Sequence, residues 1–258
     1  MVKGLYTAYT GMINEQHRMD TLTNNLANAA TTGYKKEGAT AQAFDDVLGY
    51  KIKDTSEYNL PKKMGVMNMG VKIGESYTDY SQGPFRQTDN TFDLALSGEG
   101  FFAIEYTNKA DETTTKYTRD GSFTLTQDGY MVTKDGDYVL DQYNNHIHLD
   151  PLAEISIDRT GAIYQNGIHT ADIQVSNFQD LNYLSKFGEN LYTALDGATL
   201  IPGEAQVYSG YLEQSNVSVV SEMVQMISVS RAYETNQKIV QTMDSSLEQA
   251  VNSLGKLG

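Results

Sequence analysis

Leu5, Met12, Met19 and Leu26 stand seven residues apart, and so do Ala8, Glu15, Leu22 and Ala29. All but Glu15 of these eight are apolar, so the spacing predicts a helix over about residues 5 to 29 with a coiled-coil seam. At 1.5 Å per residue such a helix is roughly 37 Å long. A second heptad lies at the other end of the chain, where Tyr233, Val240, Leu247 and Leu254 form one row and Met243 and Ala250 another. Before Tyr233 the stripe follows Val220, Met223 and Ile227, which predicts a phase shift of the seam near Arg231. Ser215, Asn216 or Ser218 can cap this helix, and Gly255 can end it.

Between these segments the period changes. From about Val71 to Val207 the chain alternates at period two around Asp120-Gly121, Asp128-Gly129, Asp135-Gly136 and Asn166-Gly167. That pattern predicts a succession of short antiparallel strands. Residues 34–70 show neither period and predict an extended connector. The fold class is therefore α+β, with N- and C-terminal helices (a coiled-coil assembly region) flanking a β-rich antiparallel middle. Its parts are an assembly helix over 1–33, the connector over 34–70, a β-rich body over 71–213 and a second assembly helix over 214–258. An amphipathic helix is marginal alone in water, so each needs a partner: the other helix, or a copy in a neighbouring chain.

The faces opposite the seams bear on that choice. Thr7, Thr10, Asn14, His17, Thr21, Asn24 and Asn28 lie opposite the first stripe, and none is a carboxylate, Lys or Arg. Opposite the later C-terminal seam stand Arg231, Thr235, Lys238, Thr242, Ser245, Gln249 and Asn252, again mostly uncharged. Of the net charge of -14, residues 34–213 carry all but -1. Unpaired charge is costly to bury, whereas amides and hydroxyls can pair with each other or with water. Both helices therefore read as packed into a multi-subunit assembly, with a solvated, low-charge helix face as the alternative. In "NNLANAATTGYKKEG", residues 24–38, Asn24 and Asn28 extend the neutral stripe and Asn25 lies at its flank. Gly33 allows the turn out of the helix, and Lys35, Lys36 and Glu37 mark the return to solvent.

Composition removes other classes. The chain has no cysteine, hence no disulfide, thiolate metal site or cysteine nucleophile. Its acidity argues against nucleic acid as a partner. No cleavable signal peptide and no spanning segment are visible, so direct membrane insertion is not expected. His146 and His148 share a strand face but lack a third ligand, and Asp135 and Asp137 lack the rest of a calcium loop. "SGEGFF" lacks the third glycine of a dinucleotide loop, and its glycines fit a bend. No catalytic, cofactor-binding or metal residues are assigned, and no enzyme activity is expected.

"LYTAYTGM", "LTNNLANAATTGYKK" and the closing "SNVSVVSEMVQMISVSRAYETNQKIVQ" resemble the terminal signatures of bacterial flagellar axial proteins, the rod and hook subunits. "FDLALSGEGFFAIE" and "YTRDGSFTLTQDGYMVTKDGDYVL" resemble that family's internal segments. The length and single β-rich middle look like a rod subunit. The resemblance implies export through the flagellar type III apparatus without a cleaved signal, a place in the basal body, and polymerisation into a hollow, torque-transmitting axle. Its implied partners are copies of itself, other axial subunits and the export apparatus, with no cofactor. The expected assembly interface comprises Leu5, Met12, Met19, Leu22, Leu26, Asn24, Asn28, Val220, Met223, Ile227, Tyr233, Val240, Met243, Leu247 and Leu254. Rival classes are a secreted β-rich adhesin with helical stalk ends and a carbohydrate-active enzyme.

Overall fold

Helix α1 spans Val2–Ala27 and helix α2 spans Val219–Leu254, and among the described residues twenty strands lie between them. The computed structural model describes residues 2–51, 62–108 and 112–254. Every strand pairing among the described residues is antiparallel, so the protein is α+β with a β-rich antiparallel middle between two terminal helices. The chain divides into two units. One contains Met1–Leu26, Glu37–Asp79 and Ser218–Gly258, and the other contains Ala27–Lys36 and Tyr80–Val217.

In the first unit the two helices run antiparallel. A Cβ on Gly4 would lie 2.5 Å from Met243 Cε, one on Gly11 would lie 3.0 Å from Asn236 Nδ2, and Asn25 reaches Glu222. Each step forward along α1 is thus matched by an equal step back along α2. The α2 positions that turn inward are Glu222, Met226, Val229, Tyr233, Asn236, Val240, Met243, Leu247 and Ala250, all buried or half-buried. They alternate spacings of four and three from end to end. The phase shift expected near Arg231 does not occur. Glu222 and Asn236 are polar members of one unbroken heptad, which hid its continuity, and Val220, Met223 and Ile227 form a separate, exposed stripe.

Residues 34–70, expected as an extended connector, contain strands. Glu37–Ala43 pairs with Val71–Thr78, and Val47–Lys51 pairs with Lys62–Met67. The first of these, "EGATAQA", is half-buried at its start and exposed thereafter. A strand with no buried face has no reason to alternate, so period two never appears in it. The backbone near Gly70 comes close enough to α1 that a Cβ there would meet Thr10 Oγ1 at 2.3 Å and Thr7 Cα at 3.3 Å.

The second unit holds the core. Its nine-stranded sheet is centred on Phe101–Thr107, which pairs with Thr113–Thr118, Tyr138–Val139 and Val175–Phe178. Phe101 and Ala103 enter one apolar cluster with Tyr117, Phe178 and Tyr192, while Phe102 and Ile104 enter another with Phe123, Met131 and Ile147. A strand covered on both faces reads as a continuous apolar run, as "FFAI" does. Asn166 and Gly167, with φ of 49° and 80°, form the two-residue turn between Ala162–Gln165 and Ile168–Asp172, as Asn-Gly predicts. Asp120-Gly121 is no hairpin turn. The strands on either side pair with different neighbours, and a Cβ on Gly121 would collide with Leu94 O.

Candidate assembly surface

The end of α1 is where sequence and structure differ most. Asn25 is fully buried, and its carboxamide pairs with the Glu37 backbone: Glu37 N–H donates to Oδ1 at 2.9 Å and Nδ2 donates to Glu37 O at 2.8 Å. Nδ2 also donates to Glu222 Oε2 at 3.2 Å, although the two residues are 197 apart in sequence. Glu222 is itself buried in the first turn of α2, where the helix dipole favours a carboxylate. Asn25 therefore joins α1, the strand Glu37–Ala43 and α2, a role not visible in its heptad letter.

The neutral face of α1 is partly covered by its own chain. Thr10 and Asn14 are buried, and the strand region around Gly70 lies against Thr7 and Thr10. Being beneath a backbone, this face has no room for a solvated charge. Asn28 is also buried, and its Oδ1 accepts from Thr31 Oγ1, which leaves it little surface to offer a neighbour. Asn24 is exposed.

The other expected interface residues fall into two groups. Leu22 is buried, and Leu5, Met12, Met19, Leu26, Tyr233, Val240, Met243 and Leu247 are half-buried within the single subunit. Leu254 is the last residue of α2. Val220 is 74% exposed and Ile227 55%, with Met223 and Val224 beside them also exposed. Spacings of three and four put these on one face of the first turns of α2. On α1, Tyr6, Tyr9 and Ile13 make a second exposed apolar stripe that the sequence reading did not assign. Their spacing of three and four was the available signal, but the stronger seam beside it masked it.

In the second unit the segment after α1 is held by charge. Lys35, expected at the surface, is 1% exposed. Its Nζ donates to Glu213 Oε1 at 2.6 Å and to Ser81 O at 2.8 Å. Arg119 approaches the other Glu213 oxygen at 3.2 Å, donates to Gly98 O, and lies over the Phe101 ring. Gly83 N–H donates to Glu213 Oε1, and Gly33 N–H to Glu213 O. Gly33 has φ of 67°, and a Cβ on it would lie 2.4 Å from Asp120 N, so the position demands glycine on two grounds.

Of the metal candidates, His146, His148 and Asp135 are exposed and Asp137 is half-buried. His146 stacks on Tyr138 and pairs with Glu105 at 3.1 Å, and among the described residues no group of His, Cys, Asp or Glu is arranged to hold a metal. Asp120, Asp135, Asp137 and Glu189 line an open cavity of about 350 Å³ together with Arg86 and Lys134. Burial first, and then the Asp135 carboxylate, push the Asp137 carboxyl above the ordinary carboxylate range, against a backbone hydrogen bond from Thr107. The folded state thus holds this proton more tightly than the unfolded chain does. Its contribution favours folding increasingly as pH falls through the raised value toward the ordinary one. Asp137→Asn is expected to raise stability slightly at neutral pH and to flatten that acid-side gain, as read by urea titration at several pH values. No described helix is long and apolar enough to cross a membrane.

Three family profiles match in order along the chain. Residues 5–35 match "Flagella basal body rod protein", residues 95–165 match "Flagellar hook protein FlgE/F/G D1 domain", and residues 208–254 match "Flagellar basal body rod FlgEFG protein C-terminal". The flagellar basal-body rod protein FlgF of Caulobacter vibrioides is 34% identical across 100% of both chains. The basal-body rod protein FlgG of Borreliella burgdorferi is 34% identical over 98% of both. That of Bacillus subtilis is 32% identical over 98% of this chain and 99% of its own.

Proposed function

The chain belongs to the flagellar basal-body rod protein family, and from that premise we propose that it is a structural subunit of the bacterial flagellar rod. Its terminal helices serve assembly: paired through a coiled-coil seam, they polymerise with neighbouring copies into a hollow axle that transmits torque. The partners are other copies, other rod and hook subunits, and the export apparatus that delivers the chain to the basal body. The observation that carries this reading is the end-to-end match to relatives named as basal-body rod proteins. The apolar stripe of Val220, Met223, Val224 and Ile227, left in solvent on a single subunit, supports it further, because such a stripe marks a contact surface. Nothing in the relatives favours an adhesin or a carbohydrate-active enzyme.

Deletion of the gene should stop the basal body at an incomplete rod and abolish swimming, with both restored by the gene supplied in trans. Electron microscopy of isolated basal bodies reads the outcome. Complete rods and normal motility in the deletion strain would overturn the proposal.

A further inference from the structure

We propose that Asn25 and Glu222 are the specificity-determining pair that fixes the register of α1 against α2. The inference concerns the single subunit and stands apart from the rod reading. The seam between the helices is repetitive. Gly4, Gly11 and Asn25 occur at multiples of seven along α1, opposite Met243, Asn236 and Glu222 at the same intervals along α2. Apolar burial has no direction, so for the apolar inward residues of α2 a slide of one heptad, about 10.5 Å, exchanges one set of α1 neighbours for another without selecting between them.

The polar pair does not survive the slide. Moved one way, Asn25 faces the buried Val229, and its Nδ2 loses the Glu222 acceptor. Moved the other way, Asn25 runs past the first turn of α2 and again loses the Glu222 acceptor. Asn25 is also not free to follow. Both ends of its carboxamide are bonded to the Glu37 backbone, so its direction is set independently of α2. One polar position in an apolar heptad can select register at some expense of stability.

The absence of cysteine lets this be read by crosslinking. Gly11→Cys with Asn236→Cys reports the native register, since a Cβ on Gly11 lies 3.5 Å from Asn236 Cγ. Gly11→Cys with Met243→Cys reports the register slid by one heptad, which is out of disulfide reach in the native pairing. In the purified parent protein, oxidation should trap only the native pair. In the N25L/E222L background the slid pair should rise from background to a yield comparable with the native one, at unchanged or higher helix content by circular dichroism. E222Q, which keeps an acceptor for Asn25, should behave as the parent. N25A/E222A, with no added bulk, gives the same reading if the leucine pair does not fold. Exclusive native crosslinking in either double variant would overturn the proposal.

Discussion

Glu213→Ala is expected to destabilise the β-rich unit by about 3–5 kcal/mol, the usual consequence of removing one partner from a buried ion pair. For a domain of this size that is a fall in melting temperature on the order of 10 °C. Glu213 is 1% exposed and receives Lys35, Arg119 and the Gly83 amide on its two carboxylate oxygens. Its loss leaves two buried cations without this counter-charge, and their desolvation is no longer offset. Glu213→Gln keeps the acceptor but not the charge, and should fall between the two. Replacing Lys35, Arg119 and Glu213 together by apolar residues of similar volume should recover most of the loss, because the charges then vanish as a set. Thermal unfolding followed by near-ultraviolet circular dichroism of the tyrosines measures all three. A single variant that melts with the parent would show that the ion pair contributes nothing to the fold.

The second large effect lies in assembly. Val220→Asp with Ile227→Asp should leave the isolated subunit as stable as the parent, since both side chains stand mostly in solvent. In cells the same double variant should fail to complete the rod and should not swim, because two carboxylates would be placed in the contact proposed for the next subunit. Leu22→Asp with Leu26→Asp is a poorer test. Leu22 is buried and Leu26 half-buried within the subunit itself, so loss of motility there would report unfolding of the helix pair. The informative comparison is a folded monomer that cannot build rods. Normal rods from the Val220 and Ile227 double variant would remove this face of α2 from the proposed interface.

The helix ends and the antiparallel middle were legible because periodicity is a local property. A helix brings residues three and four apart to one face, and a two-residue Asn-Gly turn folds the chain back wherever it sits. The same locality limited the reading. Heptad letters identified both apolar stripes on α2, but not which one faces α1. The one that does includes Glu222, a charged residue no pattern would place inside, which accepts a hydrogen bond from an asparagine 197 residues away. The strands within 34–70, a range expected as an extended connector, went unread for a related reason. The strand Glu37–Ala43 buries too little surface to leave a hydrophobic signature, and it is held by backbone bonds to Val71–Thr78.

The family motifs and the alternation of periods by themselves determined that the chain is helix, antiparallel sheet and helix, and that it belongs with flagellar rod proteins. Only the tertiary structure decided that Lys35 is a buried ion-pair partner and that the neutral face of α1 is partly roofed by its own strands. It also decided that the asparagine cluster ties the start of one helix to the end of the other. Each of these rests on residues brought together across most of the chain. Burial is set by what covers a side chain, and that cover comes from segments whose arrival the local sequence does not encode.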